Sequence, residues 1–240
     1  LGFKGVCKNC GIAMARIAFG TCLTSGTIRT DFTFATAAHG ITWLVDSGAQ
    51  VINMSLGNPL LDPANYCPTH ATNVWCVAMT YAADRDVTLV GASGNWRIRL
   101  QFPAADSRVV AVGGYDESIA FWDESPGSYT FCPYGNNQEC GSNYTNSNGP
   151  LQEVVAGARS ILSSMYPGKN WVPALSCGDA YGTPLGDGVG LCTGTSMSSP
   201  IVAGVVGILL AGKPLGPPSA PVPPVGQVPG IRTVLANTTF

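Results

Sequence analysis

Charge is what this sequence has least of. Asp, Glu, Lys and Arg make up 11% of its residues, and 12 basic against 14 acidic side chains leave a net charge of −2. So weak a field gives no reason to expect nucleic acid or an acidic membrane as partner. Histidine is scarcer still: the 240 residues hold two, His39 and His70. No apolar run reaches the ~18 residues that cross a bilayer. The longest, Ile201 to Ala211, is broken by Gly204 and Gly207, so no membrane span is expected. No secretory leader pattern and no internal repeat is present, and a mature fragment would lack the leader.

What is present fits a globular α/β protein. The chain is long enough for one large domain with a sizeable core. Strands are expected near Ala13–Ala18, Val51–Ser55, Thr88–Ala92 and Val109–Gly113, and helices near Phe32–Val45, Val74–Asp84, Ser196–Ala211 and Gly230–Asn237. Their alternation implies a doubly wound, mostly parallel sheet with helices on both faces. Residues 115–192 are richer in Gly, Ser, Asn and Pro and should carry shorter strands and long loops. Gly212 to Gly230 holds seven prolines and reads as an extended surface connection inside a single domain spanning 1–240.

Nine cysteines point to an oxidising compartment. Cys7-Lys8-Asn9-Cys10 would suit zinc only with a second close pair, and none is evident, so disulfides are favoured. Cys177 and Cys192 flank a Gly-rich excursion and are expected to pair; Cys132 and Cys140 bracket a loop that one bridge could staple. An odd count leaves at least one cysteine free or paired outside the chain. Asn143-Tyr144-Thr145 and Asn237-Thr238-Thr239 match the glycosylation acceptor pattern.

The run Gly194-Thr195-Ser196-Met197-Ser198-Ser199-Pro200, leading into Ile201-Val202-Ala203-Gly204, carries the chemistry. It places a serine at the mouth of an apolar helix, with Ser199-Pro200 expected in its first turn. Spare backbone N–H groups and the positive end of the dipole lie there. Such a serine can attack a carbonyl while its own N–H helps hold the oxyanion. The run resembles the nucleophile motif of the subtilisin-like serine proteases. Two further segments resemble that family in the proper order: Val51-Ile52-Asn53-Met54-Ser55-Leu56-Gly57, like its substrate-binding strand, and Val87 to Asn95, like the strand and turn that end in its oxyanion-hole asparagine. The resemblance implies Ser196 as nucleophile, Asn95 as oxyanion donor, and Ser55, Leu56, Gly57, Ala92, Ser93, Gly94 and Thr195 as substrate-binding positions.

The same family carries Asp and His motifs upstream, and neither is in its place here. Asp46-Ser47-Gly48 and His39-Gly40-Ile41-Thr42 imitate them, in the wrong order and seven residues apart. Both lie in a segment whose apolar residues Phe34, Ala37, Ala38, Ile41, Leu44 and Val45 recur at helical spacing. Asp46-Ser47-Gly48 therefore reads as a helix end with its glycine stop, His39 as a helix-face residue, and His70 as a loop residue.

The start, Gly5-Val6 and then Ala13 to Ala18, resembles the strand that follows the family's catalytic-His helix. With Leu1 in place of an initiator Met, the chain reads as a processed product whose Asp and His arrive on a separate N-terminal segment. The resemblance further implies a secreted endopeptidase acting on polypeptides without a cofactor for chemistry. It also implies a Cys22–Cys67 bridge, a cis bond at Phe102-Pro103, and a structural calcium site in which Glu153 replaces an aspartate. The family's usual Ala-Pro-Gly is here Ala156-Gly157-Ala158. A non-catalytic scaffold or peptide-binding relative is the alternative.

Overall fold

The computed structural model describes residues 5–22, 28–58, 66–124, 140–144, 153–164, 177–179 and 189–212. In chain order the elements are β1 (Phe19–Cys22), β2 (Ile28–Asp31), α1 (Phe34–Asp46), β3 (Val51–Met54), α2 (Tyr66–Thr69), α3 (Val74–Ala83) and β4 (Thr88–Ala92). There follow β5 (Val109–Tyr115), β6 (Asp123–Glu124), β7 (Cys140–Gly141), β8 (Glu153–Gly157), β9 (Ile161–Ser164), β10 (Cys177–Asp179), β11 (Val189–Cys192) and α4 (Thr195–Gly212). The expected helix at Gly230–Asn237, the Pro-rich connection beyond Gly212 and Cys132 lie outside the described residues.

The centre is a parallel sheet in the order β3-β4-β5-β8. Every residue of β4 is buried, as a central parallel strand covered on both faces requires. Side chains alternate across the sheet. Ile52, Met54, Leu89 and Val109 join one core with α1 and α3, while Val90, Val110 and Val112 join another with Val202 and Val206 of α4. The fold is thus α/β with helices on both faces, as the alternation of elements implies. Trp75, Met79, Phe102 and Val206 are 0% exposed, and each such side chain contributes about 1.5–3 kcal/mol over leaving it in water.

Local chemistry sets the helix ends. Thr33 caps α1 reciprocally with Thr36: its Oγ1 accepts from Thr36 N at 3.1 Å, and Thr36 Oγ1 accepts from Thr33 N at 2.9 Å. The cap explains why the helix begins at Phe34 and not at Phe32. Its far end is the Asp46-Ser47-Gly48 stop, with Gly48 at φ 84°. Asn73 caps α3 by accepting from Trp75 N at 3.0 Å. By length and composition α4 is apolar enough to cross a membrane, glycines included; here it packs on the sheet through Val202 and Val206.

Two expectations are corrected. Ala13–Ala18 forms no ladder among the described residues; the strand lies further on, at Phe19–Cys22, in an antiparallel pair with β2. A strand is defined by its partner, and no described strand lies alongside residues 13–18. Ala15 and Ile17 instead approach Gly40 of α1. Cys22–Cys67 does not form, because Cys67 is bonded to Cys76. Cys67 near the start of α2 and Cys76 in the first turn of α3 have their Cα atoms 5.4 Å apart, inside disulfide range.

Cys7 and Cys10 also form a disulfide, which leaves no thiolate pair there for zinc. That bridge lies on α4: a methyl group placed on Gly207 would sit 3.0 Å from Cys10 Sγ. Cys192 is disulfide-bonded and stands opposite Cys177 in the β10–β11 ladder, consistent with the expected pair. The Phe102-Pro103 bond is cis, as expected.

Candidate active site

The site forms where the carboxyl ends of β3 and β4 meet the N-terminus of α4, the edge at which parallel sheets hold ligands. Gly194 makes the turn into the helix. Its φ is +148°, its N–H donates to Ala158 O at 2.7 Å, and a methyl group there would lie 3.3 Å from Asn95 Nδ2. Thr195 is fully buried and ties the helix to the end of β4. Its Oγ1 accepts from Gly94 N at 3.1 Å and donates to Asn95 Oδ1 at 2.9 Å, and its N–H donates to the same Oδ1 at 2.9 Å. Because that oxygen receives both Thr195 donors, the Nδ2 end of Asn95 faces Gly194, and its N–H groups make no hydrogen bond among the described residues. Ser196 follows, half-buried, in the first turn, where backbone N–H groups have no helical partner. Its hydroxyl makes no hydrogen bond among the described residues.

Pro200 has a local consequence. It falls in the second turn of α4, one turn later than expected, because the helix already begins at Thr195. A proline has no N–H to give the carbonyl four residues back. That carbonyl belongs to Ser196, and Ser55 Oγ donates to it at 2.9 Å. Asn53 Nδ2 donates to Ser55 Oγ at 2.9 Å, and Ser199 Oγ donates to Asn53 Oδ1 at 2.5 Å. Ser198, fully buried, donates to the carbonyls of Ala156 and Gly157 at 3.2 and 3.1 Å. The turn that bears Ser196 is therefore fixed from β3, β4 and β8 at once. Asn53, Ser198 and Ser199 were not among the expected site residues. The signal for Asn53 is strand alternation, which turns it to the α4 side with Val51.

The expected substrate-binding positions collect at this edge with unequal freedom. Ser55 is committed to Ser196, and Leu56 packs against the α1–α3 core. Ala92 and Ser93 are buried, and the Ser93 hydroxyl faces Ser142 at 3.3 Å, so Ser93 offers the cleft only backbone. Gly94 sits at φ +110°, where a methyl group would lie 2.3 Å from Asn143 Nδ2; only glycine fits. Asn143 is 0% exposed, its Oδ1 accepts from Trp96 and Ile98 N–H at 2.8 and 3.2 Å, and its Nδ2 donates to Arg99 O at 3.1 Å. The acceptor-pattern asparagine is thus a loop staple, closed to glycosylation in the folded protein. Asn143→Ala is expected to lower stability by about 1–3 kcal/mol through the unpaired groups it leaves; an unchanged denaturation midpoint would count against this role.

The imitating motifs are elsewhere, in α1 on the sheet face away from α4. Asp46 accepts from Tyr81 OH at 2.6 Å, and that bond chiefly holds the Tyr81 phenol above its ordinary range. His39 is exposed in a groove of about 420 Å³ shared with Met14, Arg16, Ile17 and Trp43. His70 follows α2, stacked on Tyr66 at 4.5 Å. Neither histidine nor any described carboxylate is hydrogen-bonded to Ser196. Glu153 opens β8, and no group of three or more His, Cys, Asp or Glu that could hold a metal occurs among the described residues.

A serine at the mouth of a core helix, beside an asparagine amide and between two parallel strand ends, is the arrangement of a serine hydrolase of subtilisin type. The subtilase family model matches residues 2–239, and the chain belongs to that family. It is 29% identical over 181 residues to a thermophilic serine proteinase of a Bacillus species, covering 74% of this chain and 32% of that protein. Thermitase of Thermoactinomyces vulgaris is 27% identical over 178 residues, covering 74% of this chain and 46% of its own length. Among solved structures, the patellamide maturation protease PatA superimposes with a TM-score of 0.50 at 27% identity, over 75% of this chain and 50% of PatA. The chain thus spans half or less of each of these relatives.

Proposed function

We propose that this chain is the nucleophile-bearing part of a secreted serine endopeptidase that hydrolyses polypeptides through an acyl-enzyme. The observation that carries the reading is Asn95, pinned to Thr195 by its oxygen so that its amide N–H groups face the turn bearing Ser196. Ser196 Oγ attacks the peptide carbonyl and loses its proton to a base. Ser196 N–H and Asn95 Nδ2 hold the oxyanion. The C–N bond then breaks as the base returns that proton to the departing amine. Water, deprotonated by the same base, hydrolyses the ester and frees Ser196. No cofactor enters these steps.

The base and its orienting carboxylate are assigned to a separate N-terminal segment of the same precursor. Three features support that partner. β3 is an edge of the parallel sheet among the described residues. Residues 11–18 run beside α1 without a ladder, with Ile12 90% and Met14 84% exposed. No described acid or histidine bonds Ser196. Secretion is supported by the Cys7–Cys10 and Cys67–Cys76 disulfides. The unpartnered Ser196 also supports a second reading, a peptide-binding relative that performs no chemistry.

Labelling with a fluorophosphonate separates the two. A serine without its base is a weak nucleophile near neutral pH. The chain alone should label slowly, and the chain assembled with a segment bearing the Asp and His motifs should label fast, at Ser196. Equal rates, or labelling at another serine, would overturn the protease reading.

A further inference from the structure

Two disulfides have both cysteines among the described residues, and they sit in opposite surroundings. Cys67 and Cys76 are 6% and 2% exposed, inside the core that α1 and α3 share. Cys10 is exposed and Cys7 half-buried, and Lys8 and Asn9 between them are exposed as well. Thiol–disulfide exchange requires a thiolate to reach a sulfur, so access separates the two bonds. Loop length separates them too. Cys7–Cys10 closes a ring over a sequence separation of 3, against 9 for Cys67–Cys76. The shorter ring restrains the unfolded chain less, so opening it costs the fold less.

The exposed bridge sits on a strap between two layers. A methyl group on Gly204 would lie 2.8 Å from Val6 Cβ, and one on Gly207 would lie 3.0 Å from Cys10 Sγ and 3.7 Å from Cys7 Sγ. The bridge and Val6 therefore lie directly on α4. Further along, a methyl group on Gly40 of α1 would lie 3.4 Å from Ala15 Cβ and 2.6 Å from Ile17 Cγ2. Because α1 and α4 cover opposite faces of the sheet, residues 6–17 span from one helix layer to the other. Among the described residues the α4 end of this strap joins no ladder, and its backbone hydrogen bond is internal, from Cys10 N–H to Cys7 O at 3.2 Å. Bonded sulfurs stand about 2.05 Å apart, well inside the contact distance of unbonded ones. Once the bond breaks the two must separate, and with α4 behind them at Gly207 the ring opens toward solvent.

We propose that Cys7–Cys10 is a thiol–disulfide exchange site, a redox-sensitive clasp that holds the strap on α4. The co-reactant is a dithiol. One of its thiolates attacks Cys10 Sγ, the more exposed sulfur; the S–S bond breaks, a mixed disulfide forms, and Cys7 leaves as a thiolate. The second thiol of the reductant then displaces Cys10. The clasp ends as two thiols, having gained two electrons and two protons, and the dithiol ends as its disulfide. Cys67–Cys76, walled in by the core, stays closed, so the strap is released from α4 while the sheet and its helices hold.

The full 240-residue chain is titrated with dithiothreitol under native conditions, trapped with iodoacetamide and mapped by mass spectrometry, with amide hydrogen exchange followed in parallel. Cys7 and Cys10 should be alkylated together at a reductant concentration at least about 10-fold below the one that opens Cys67–Cys76. Exchange over residues 6–17 should then rise about 10-fold while α3 and β4 keep theirs, and oxidised glutathione should reverse both changes. The double variant Cys7→Ser, Cys10→Ser should exchange over 6–17 at the reduced rate with no reductant present. Cys7–Cys10 opening no earlier than Cys67–Cys76 overturns the exchange site. Reduction of Cys7–Cys10 with exchange over 6–17 unchanged overturns its role as a clasp. Should the double variant fold poorly, the wild-type titration decides both points alone.

Discussion

Alanine at Ser196 is expected to remove fluorophosphonate labelling of this chain and to cut peptide hydrolysis by the assembled protein roughly 10⁶-fold, the scale of losing a nucleophile that works with its base as a unit. The fold should survive. Ser196 is half-buried, its hydroxyl bonds to no described residue, and its carbonyl remains to accept from Ser55. Thermal unfolding should therefore move little while the burst of acyl-enzyme disappears. Turnover that persists in Ser196→Ala would place the chemistry on another residue and end the assignment.

Replacing Asn95 should produce the next largest loss. Asn95→Ala removes the oxyanion donor and also the oxygen that receives Thr195 N–H and Oγ1–H, each at 2.9 Å. A fall in kcat of about 10²–10³ is expected, with some loss of stability at the mouth of α4. Asn95→Asp separates the two roles. It keeps an acceptor for Thr195 while replacing the amide donor by a negative charge beside the developing oxyanion. The expected result is a loss of kcat at least as large as that of the alanine variant, KM nearly unchanged, and a melting temperature close to wild type. Should Asn95→Asp retain kcat, or should both variants lose stability and activity in step, Asn95 would be a structural cap and not an oxyanion donor.

Much of this site was legible in the chain because its parts are local. Thr195, Ser196 and Pro200 are contiguous, and the helix they open needs only its own residues to be recognised. The helix end at Asp46-Ser47-Gly48 is equally local, and the structure confirms it. Readings that needed a distant partner fared worse. Ala13–Ala18 has strand-like residues, but a ladder requires a neighbour, and the chain runs unpaired there. Cys22–Cys67 depended on where a loop travels, and the short path from α2 into α3 gave Cys67 a nearer partner in Cys76. Asn143 matches an acceptor pattern in the sequence, and only packing puts it at 0% exposure.

The amino-acid sequence by itself determined the family, the serine-bearing turn that opens α4, the alternation that makes a parallel sheet with helices on both faces, and the absence of the Asp and His motifs from their places. These follow from periodicity, capping and short motifs, which act over a few residues. Only the tertiary structure decided what those residues touch. It tied the Ser196 carbonyl, left free by Pro200, to Ser55 across 141 positions, turned Asn95 so that its amide lies against Gly194, and laid Gln101 across Gly57 and Gly94. Each is a contact between residues far apart in the chain, and such contacts exist only once the core has brought the strand ends together.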